Sequence, residues 1–531
     1  MLFRMLFLLL ITLRAVADNY PRNESIDIKK YIFRIELNDT TNRIAGQATI
    51  MLAVKKAIRD VELDLIHQGQ EKGMAVSEVR VGNRQAIFLH RSNRLKILLP
   101  TEVTPGSELQ ITITYAGIPQ DGLIISKNKF GDRTFFGDNW PDRARNWLPT
   151  IDHPYDKAQV EFMVVAPPHY DVVANGARVE QSFLNSKQKL THWREEVDIP
   201  TKVMVIGVAR FAIQHAGNVG NIPVESWVYP QNKEAGFSDY QPAVKVLDFF
   251  NRFIGPYSYE KLANVQSTTI YGGMENASNI FYYENSVTGK AEIENLIAHE
   301  IAHQWFGNSA SEKDWHHVWL SEGFATYFTH VYNEFMYGTA KLKEGLQKDR
   351  TTVIQHCLRA PAPVIDTRIT DYPKLLSPHV YQRAGWVLHM LRQEVGDDAF
   401  WTGIRTYYNR FQNANALTSD FRQVMEEASG KSLSNFFSQW LEETSLPELN
   451  SQWAYNPASK TLTVTIEQAQ PGRVFDLSLD LAICPISGEP AIETVKINQK
   501  TTKISLPVDF KPVKLELDPA TKLLFKGNLR N

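Results

Sequence analysis

Tyr31, Phe33, Ile35 and Leu37 alternate with mostly polar residues. After a polar stretch at 38–42 the alternation resumes at Ala48, Ile50, Leu52 and Val54. Successive side chains of a strand point to opposite faces, so this two-residue period predicts a hairpin with one buried face. Short runs of the same kind recur at 95–99, 109–115, 160–165, 170–173 and 203–208, with no long helical period among them. Residues 18–210 are therefore expected to form an N-terminal domain built on an open antiparallel sheet.

From about residue 211 the period changes. Val244, Leu247, Phe249, Phe250 and Phe253 have helical spacing behind Pro242, a residue suited to a first turn. Further helices are predicted to end at Gly396 and at Gly430, the latter opened by Ser419 as its cap, and to span 432–442 with Phe436, Phe437 and Trp440 on the core side. Residues 444–450, with Pro447, read as a linker. Alternation then returns at Leu462, Val464 and Ile466, at Phe475 through Ile483, and at Val513, Leu515 and Leu517, which predicts a small C-terminal β-sandwich. The expected fold is multi-domain α+β, with a β-rich domain at 18–210, a mostly helical domain at 211–446 and a sandwich at 447–531.

Composition alters this picture little. The chain has 531 residues, 43% of them hydrophobic and 22% charged, with a net charge of −2. That is an ordinary globular balance with no basic surface for nucleic acid. Residues 1–17 do add something. Arg4, the apolar run 5–13 and Ala15-Val16-Ala17 read as a signal peptide cleaved after Ala17. The apolar run is too short for a permanent membrane span, so a secreted or periplasmic protein is expected. Cys357 and Cys484 fall in different expected domains and read as two buried thiols.

The chemistry sits near residue 300. Ile293, Ile297, Ile301 and Trp305 form a four-residue stripe, Thr288 is a suitable N-cap and Gly307 a suitable stop, so a helix is predicted at 289–306. On it His299 and His303 lie one turn apart on one face and can offer two imidazoles to one metal ion. Glu300 stands beside them, within reach of a water on that metal. A catalytic zinc keeps three protein ligands and one open position, so a third ligand is needed. Glu322 follows His303 after eighteen intervening residues, in a second helical stretch at 318–335 closed by Gly338. Antiparallel packing of the two helices returns Glu322 to the histidines.

His-Glu-x-x-His followed at this spacing by a glutamate on the next helix resembles the ligand set of the gluzincin zinc peptidases. Upstream, Gly272-Gly273-Met274-Glu275-Asn276, preceded by Tyr271, resembles the Gly-x-Met-Glu-Asn exopeptidase motif of the aminopeptidase N and leukotriene-epoxide hydrolase family. Downstream, 380–392 with Tyr381 is similar to that family's tyrosine segment. The resemblance implies a thermolysin-like domain and one zinc ion held by His299, His303 and Glu322. It implies Glu300 as general base, Tyr381 as hydroxyl donor to the developing oxyanion, and Gly272, Gly273, Met274, Glu275 and Asn276 along the substrate. Glu275 is expected to pair with a free α-ammonium. The substrates implied are peptides with a free N-terminus, cut by a zinc aminopeptidase, and a monomer is expected.

Departures from the family pattern also carry expectations. Segment 139–149 resembles the family's Ala-Arg-x-x-Phe-Pro segment, but Trp140 stands where Glu or Gln usually helps hold the amine. Asp138 is near enough to substitute, although it reads as an exposed loop carboxylate. Ser321 replaces the usual Asn before the third ligand, and Arg383 and Ala384 stand for Lys and Gly as conservative changes. His316 and His317 read as a solvated loop pair, and His356, His379 and His389 as histidines without a role in the chemistry. Many relatives continue into a helical domain over the site, so a chain of this length is expected to have a more open cleft. Two alternatives stay open: an epoxide hydrolase of the leukotriene type, towards which the double glycine leans, and a zinc-bound peptide-binding protein without turnover.

Overall fold

The computed structural model describes residues 18–530. The signal peptide read at 1–17 lies outside the described residues.

The first hairpin forms as the alternation dictates. Ile26–Glu36 runs antiparallel to Ile44–Val54 with Tyr31 opposite Ile50 and Phe33 opposite Ala48. Their apolar side chains are buried on one face. These strands lie within an eight-stranded sheet that is not wholly antiparallel. Ile26–Glu36 is parallel to Lys157–Ala166, with Tyr31 beside Val160. A parallel neighbour needs a long crossover, and the chain supplies one by first building the strands between residues 58 and 137. Those strands, with Asp171–Ala174 and Ile206–Ala209, also make up a three-stranded and a four-stranded sheet.

The middle of the chain opens with a sheet rather than with helices. Ala212–Val219, Ile222–Val228, Leu262–Ser267, Asn279–Tyr283 and Gly273–Met274 form a five-stranded mixed sheet in that order. The expected mostly helical domain is therefore α+β at its start. Leu262–Ser267 is buried at every position and parallel to both neighbours, so it shows no alternation to detect. Gly273–Met274 is the edge strand, antiparallel to Asn279–Tyr283 with Gly273 opposite Tyr282.

The helices are α1 (Lys233–Tyr240), α2 (Ala243–Phe253), α3 (Glu294–His303), α4 (Trp319–Tyr337), α5 (Thr339–Arg359), α6 (Ala384–Val395), α7 (Asp397–Phe411), α8 (Thr418–Ser429) and α9 (Ser434–Phe437). The predicted 289–306 helix is shortened to α3. The backbone N–H groups of Thr288, Gly289 and Ala291 donate to the Asp239 carboxylate at 2.7–2.8 Å, which holds that segment out of the helix and leaves Thr288 with no capping role. The stripe survives, with Ile297, Ile301 and Trp305 fully buried. α4 ends as expected at Gly338, whose φ of 86° suits glycine. α3 and α4 run antiparallel: His303 meets Glu322 at one end, while Tyr332 and Asn333 hydrogen-bond Glu294 and Asn295 at the other. The cap of α8 is Leu417, whose backbone N–H is bonded by the Asp420 carboxylate at 2.7 Å, so Ser419 falls inside the first turn. Between 434 and 442 the chain forms α9 and a π-helical turn, Ser438–Glu442, with Phe437, Trp440 and Leu441 inward and Phe436 only half-buried.

Beyond the linker lie two further sheets. Thr501–Pro507, Thr461–Gln468, Glu448–Asn456 and Lys526–Arg530 form one, and Ala491–Ile497, Leu477–Cys484 and Lys514–Leu517 the other. Leu462, Val464, Ile466, Leu477, Leu479 and Leu481 face their common core. This unit is fastened to the helices by Arg350, which reaches Asp518 and the carbonyl of Leu523, and by His389, bonded to the carbonyl of Thr521. Cys357 and Cys484 are free thiols, half-buried rather than buried. Among the described residues, no helix is long and apolar enough to cross a membrane.

Candidate active site

α3 aims His299, Glu300 and His303 at one point, and the N-terminal turn of α4 brings Glu322 to it. The two Nε2 atoms are 3.1 Å apart, and Oε2 of Glu322 lies 3.4 Å from that of His299 and 3.3 Å from that of His303. On the far side of its ring, His303 Nδ1 lies 3.2 Å from the Phe306 carbonyl and 3.0 Å from Ser321 Oγ. A carbonyl only accepts, so Nδ1 carries the hydrogen and the Nε2 lone pair faces the cluster. Gly307 makes this bracing possible. Its φ is 112°, and a Cβ there would sit 2.1 Å from Ser321 Oγ.

Charge confirms the crowding. Burial pulls the His303 imidazole down, but Glu322 and Glu275 outweigh it and push it up to about 9. Burial holds His299 below its ordinary value. Burial also works to raise Glu322, yet the two imidazoles win and hold it far below the usual carboxylate range. Two imidazoles and a carboxylate thus compete for one positive charge. Tetrahedral ligands about 2.1 Å from a zinc ion stand about 3.4 Å from one another, close to the separations here. The donor set therefore fits zinc, which His299, His303 and Glu322 would hold.

Glu300 is almost fully buried, and burial, reinforced by Glu275 and Glu322 against the pull of His303, pushes its carboxyl well above the ordinary range. The edge strand passes directly over it. A Cβ on Gly273 would stand 2.2 Å from Oε1 of Glu300, so any larger residue displaces that carboxylate, whereas a Cβ on Gly272 would meet open space. Glu275 closes the group, with a carboxylate oxygen within 4.8 Å of ligand atoms of Glu300 and His303. Its backbone carbonyl is fixed by Gln304 Nε2 at 2.8 Å and Asn308 Nδ2 at 2.6 Å, while its Oε1 is buried without any hydrogen-bond partner. Gln304 and Asn308 were not among the residues expected at the site. The available signal was a pair of amides flanking the buried C-terminal end of the metal helix.

Tyr381 stands opposite on a π-helical turn, His379–Arg383, with its ring stacked on His299 at 6.0 Å between centroids. Burial, aided by Glu322 and Glu275, raises its hydroxyl well above the ordinary value and keeps it a donor. Arg383 is not a conservative stand-in for lysine here. Its fully buried guanidinium fans across the carbonyls of Ala362 at 3.0 Å and Glu443 at 2.6 Å, with longer contacts to Trp440, Thr444 and Ser445. Only a planar, multi-donor group can span those acceptors.

These residues surround a cavity of about 350 Å³ whose wall includes Gly272, Gly273, Met274, Glu275, Glu300, Glu322 and Tyr381. Asn276 is not part of that wall. It is fully buried behind the strand, with no partner for its side-chain amide. Asp138 is not an exposed loop carboxylate either. It is fully buried, ion-paired with Arg143, and accepts from Thr269 Oγ1 at 2.9 Å and the Ile270 N–H at 3.3 Å. It thereby anchors the approach to Tyr271 instead of facing an amine. Trp140 does line the cavity, edge-on to Tyr271 and to Trp315. His316 and His317 are packed rather than solvated. The first bonds Asp314 and the Ile369 carbonyl, the second Thr418. His379 and His389 bond the carbonyls of Ala360 and Thr521 and take no part in the cluster.

Behind a β-rich front unit, two histidines and a glutamate thus converge from adjacent helices in the donor arrangement of a metal site. The model of the Peptidase M1 N-terminal domain matches residues 27–203 and that of the Peptidase family M1 domain matches 239–440, together well over half of the chain. The chain belongs to peptidase family M1. It is 27% identical over 323 residues to "Probable aminopeptidase 2" of Sulfurisphaera tokodaii, covering 57% of this chain and 40% of that protein. It is 25% identical over 477 residues to glutamyl aminopeptidase of Mus musculus, covering 83% of this chain and 50% of that one. The chain thus spans half or less of the length of these two relatives. The crystal structure of M1 zinc metallopeptidase from Deinococcus radiodurans superimposes with a TM-score of 0.69 at 22% identity, covering 80% of this chain and 95% of that one, which speaks to the fold.

Proposed function

We propose that this chain is a zinc-dependent aminopeptidase that hydrolyses the first peptide bond of peptides bearing a free α-amine. The observation that carries the proposal is the buried, unpartnered Oε1 of Glu275, next to the converging donors of His299, His303 and Glu322. A buried carboxylate oxygen without a donor is costly unless a cation completes it, and a substrate ammonium does so. Glu275 then places the first carbonyl of the peptide over the metal ligands, which makes the enzyme an exopeptidase working from the N-terminus. When bound, zinc supplies Lewis acidity, polarising the carbonyl and bringing the pKa of water towards neutral. Glu300, beside the metal ligands, takes the proton of the attacking water and hands it to the leaving amine. Tyr381 donates its hydroxyl to the carbonyl oxygen as negative charge develops. Gly273 lets the substrate backbone and Glu300 share one narrow space. The reading includes removal of residues 1–17 on export, a secreted or periplasmic location and a monomeric state.

The test is release of the N-terminal residue from short peptides with free or acetylated amines, before and after chelation and zinc return. Zinc-dependent cleavage of the free-amine forms alone is expected. Equal cleavage of acetylated forms would make the enzyme an endopeptidase, and cleavage of neither would turn the reading to epoxide opening or to binding without turnover.

A further inference from the structure

The same cavity carries information on which N-terminal residue it accepts, an inference that rests on the aminopeptidase reading. With the ammonium on Glu275 and the first carbonyl at the metal ligands, the α-carbon lies between them. Its side chain must enter what remains of the cavity. That remaining wall is Trp140, Tyr271, Met274, Leu296 and Leu376. Trp140 and Tyr271 meet edge to face with centroids 6.1 Å apart and form a continuous aromatic surface. Met274 is buried, and Leu376 is half-buried at the rim.

The charged side chains of this wall are Glu275, Glu300 and Glu322, together with the two metal-site histidines, and no lysine or arginine lines it among the described residues. Arg143, the cation against the Tyr271 ring, is already committed. It stacks on the Tyr271 ring at 5.8 Å, pairs with Asp138 and with Asp121 at 3.1 Å, and donates from Nε to the Trp140 carbonyl at 2.7 Å. Lys341 and Lys348 line a separate cavity beyond His299 and Tyr381, where Lys341 is paired with Glu344. An acidic N-terminal side chain would therefore lie against a half-enclosed apolar wall with no lysine or arginine to pair with it and with the carboxylates of Glu275 and Glu300 close by, an arrangement that proteins do not tolerate cheaply.

We infer that the enzyme selects peptides whose N-terminal residue is large and apolar and rejects those beginning with glutamate or aspartate. This sets it apart in substrate class from the glutamyl aminopeptidases to which its sequence is similar. The test compares kcat/KM of the zinc-loaded enzyme on aminoacyl 4-nitroanilides of methionine, glutamine and glutamate, which are close in size. The expected order is methionine, glutamine, glutamate, with glutamate about a hundredfold or more below glutamine. Leu376→Lys, which adds a cation at the half-buried rim, is expected to raise the glutamate-to-methionine ratio about tenfold, whereas Leu376→Gln leaves it low. Glutamate matching or exceeding glutamine in the wild-type enzyme would overturn the inference, as would an unchanged ratio in Leu376→Lys. Hydrolysis of none of the three would overturn the aminopeptidase reading itself, and this inference with it.

Discussion

The two sides of the cavity are built on different principles. On one, His299, Glu300, His303 and Glu322 project from α3 and α4, and their spacing follows from helix geometry over a few residues. On the other, Gly273, Glu275, Trp140 and Tyr381 come from an edge strand, a loop and a π-helical turn. Each of those is held by a distant partner: Gln304 and Asn308 for Glu275, Asp138 and Arg143 for the Tyr271 approach, and the carbonyls of Ala362 and Glu443, reached by Arg383, for the Tyr381 turn. The helical side carries the metal ligands and the base. In the proposed mechanism the irregular side carries the partner of the substrate ammonium and the oxyanion donor. Metal chemistry demands a fixed and recurring donor geometry, which helices supply locally.

The sharpest break of this division is Glu300→Gln, which removes the base and leaves the metal donors intact. Its kcat is expected to fall by roughly two to four orders of magnitude with zinc content, read by atomic absorption, unchanged. Tyr381→Phe attacks the other side and is expected to lower kcat by about two to three orders with little change in KM. Gly273→Ala joins the two sides, because the new methyl group invades the position of Glu300 Oε1. A loss of about one to two orders in kcat with an unaltered melting temperature is expected, since Glu300 must swing out of line. Arg383→Lys tests whether a distant brace controls Tyr381. One ammonium cannot span the carbonyls of Ala362 and Glu443, so a several-fold fall in kcat and a melting temperature lower by a few degrees are expected.

The smallest effect concerns acid. His379, which opens the Tyr381 turn, and His389, which ties α6 to the C-terminal unit, are both held down to about 4 by burial. A histidine depressed on folding contributes stability above its unfolded value near 6.5, and that contribution is lost as pH falls towards 4. A melting temperature that declines across this window, and declines less in His389→Gln, is the expected result.

What was legible in the sequence follows the same division. His299, His303 and Glu322 converge as their spacing demanded, and α4 stops at Gly338 because glycine alone tolerates that φ at little cost. The start of α3 was not legible, because Asp239, from another helix, gathers the N–H groups of 288, 289 and 291 into a turn in which Gly289 and Ala291 take positive φ, outside the helical region. The five-stranded sheet escaped notice because a strand buried on both faces has no alternation. α5 escaped for the opposite reason: only Leu342, Leu346 and Val353 are buried along its 21 residues. Asp138 was misread because a carboxylate's exposure depends on whether a cation such as Arg143 folds against it, and sequence distance does not report that. The role of Arg383 was misjudged likewise, since its acceptors lie at 362 and 443.

The central claim is that Glu275 completes its buried carboxylate with the ammonium of the substrate. The most direct test is the ratio of kcat/KM for one peptide with a free amine to that for its acetylated form, measured in the wild type and in Glu275→Gln. A large ratio is expected in the wild type that collapses in the variant through loss on the free-amine peptide alone, while bound zinc stays at one ion per chain. A ratio that survives Glu275→Gln would contradict it.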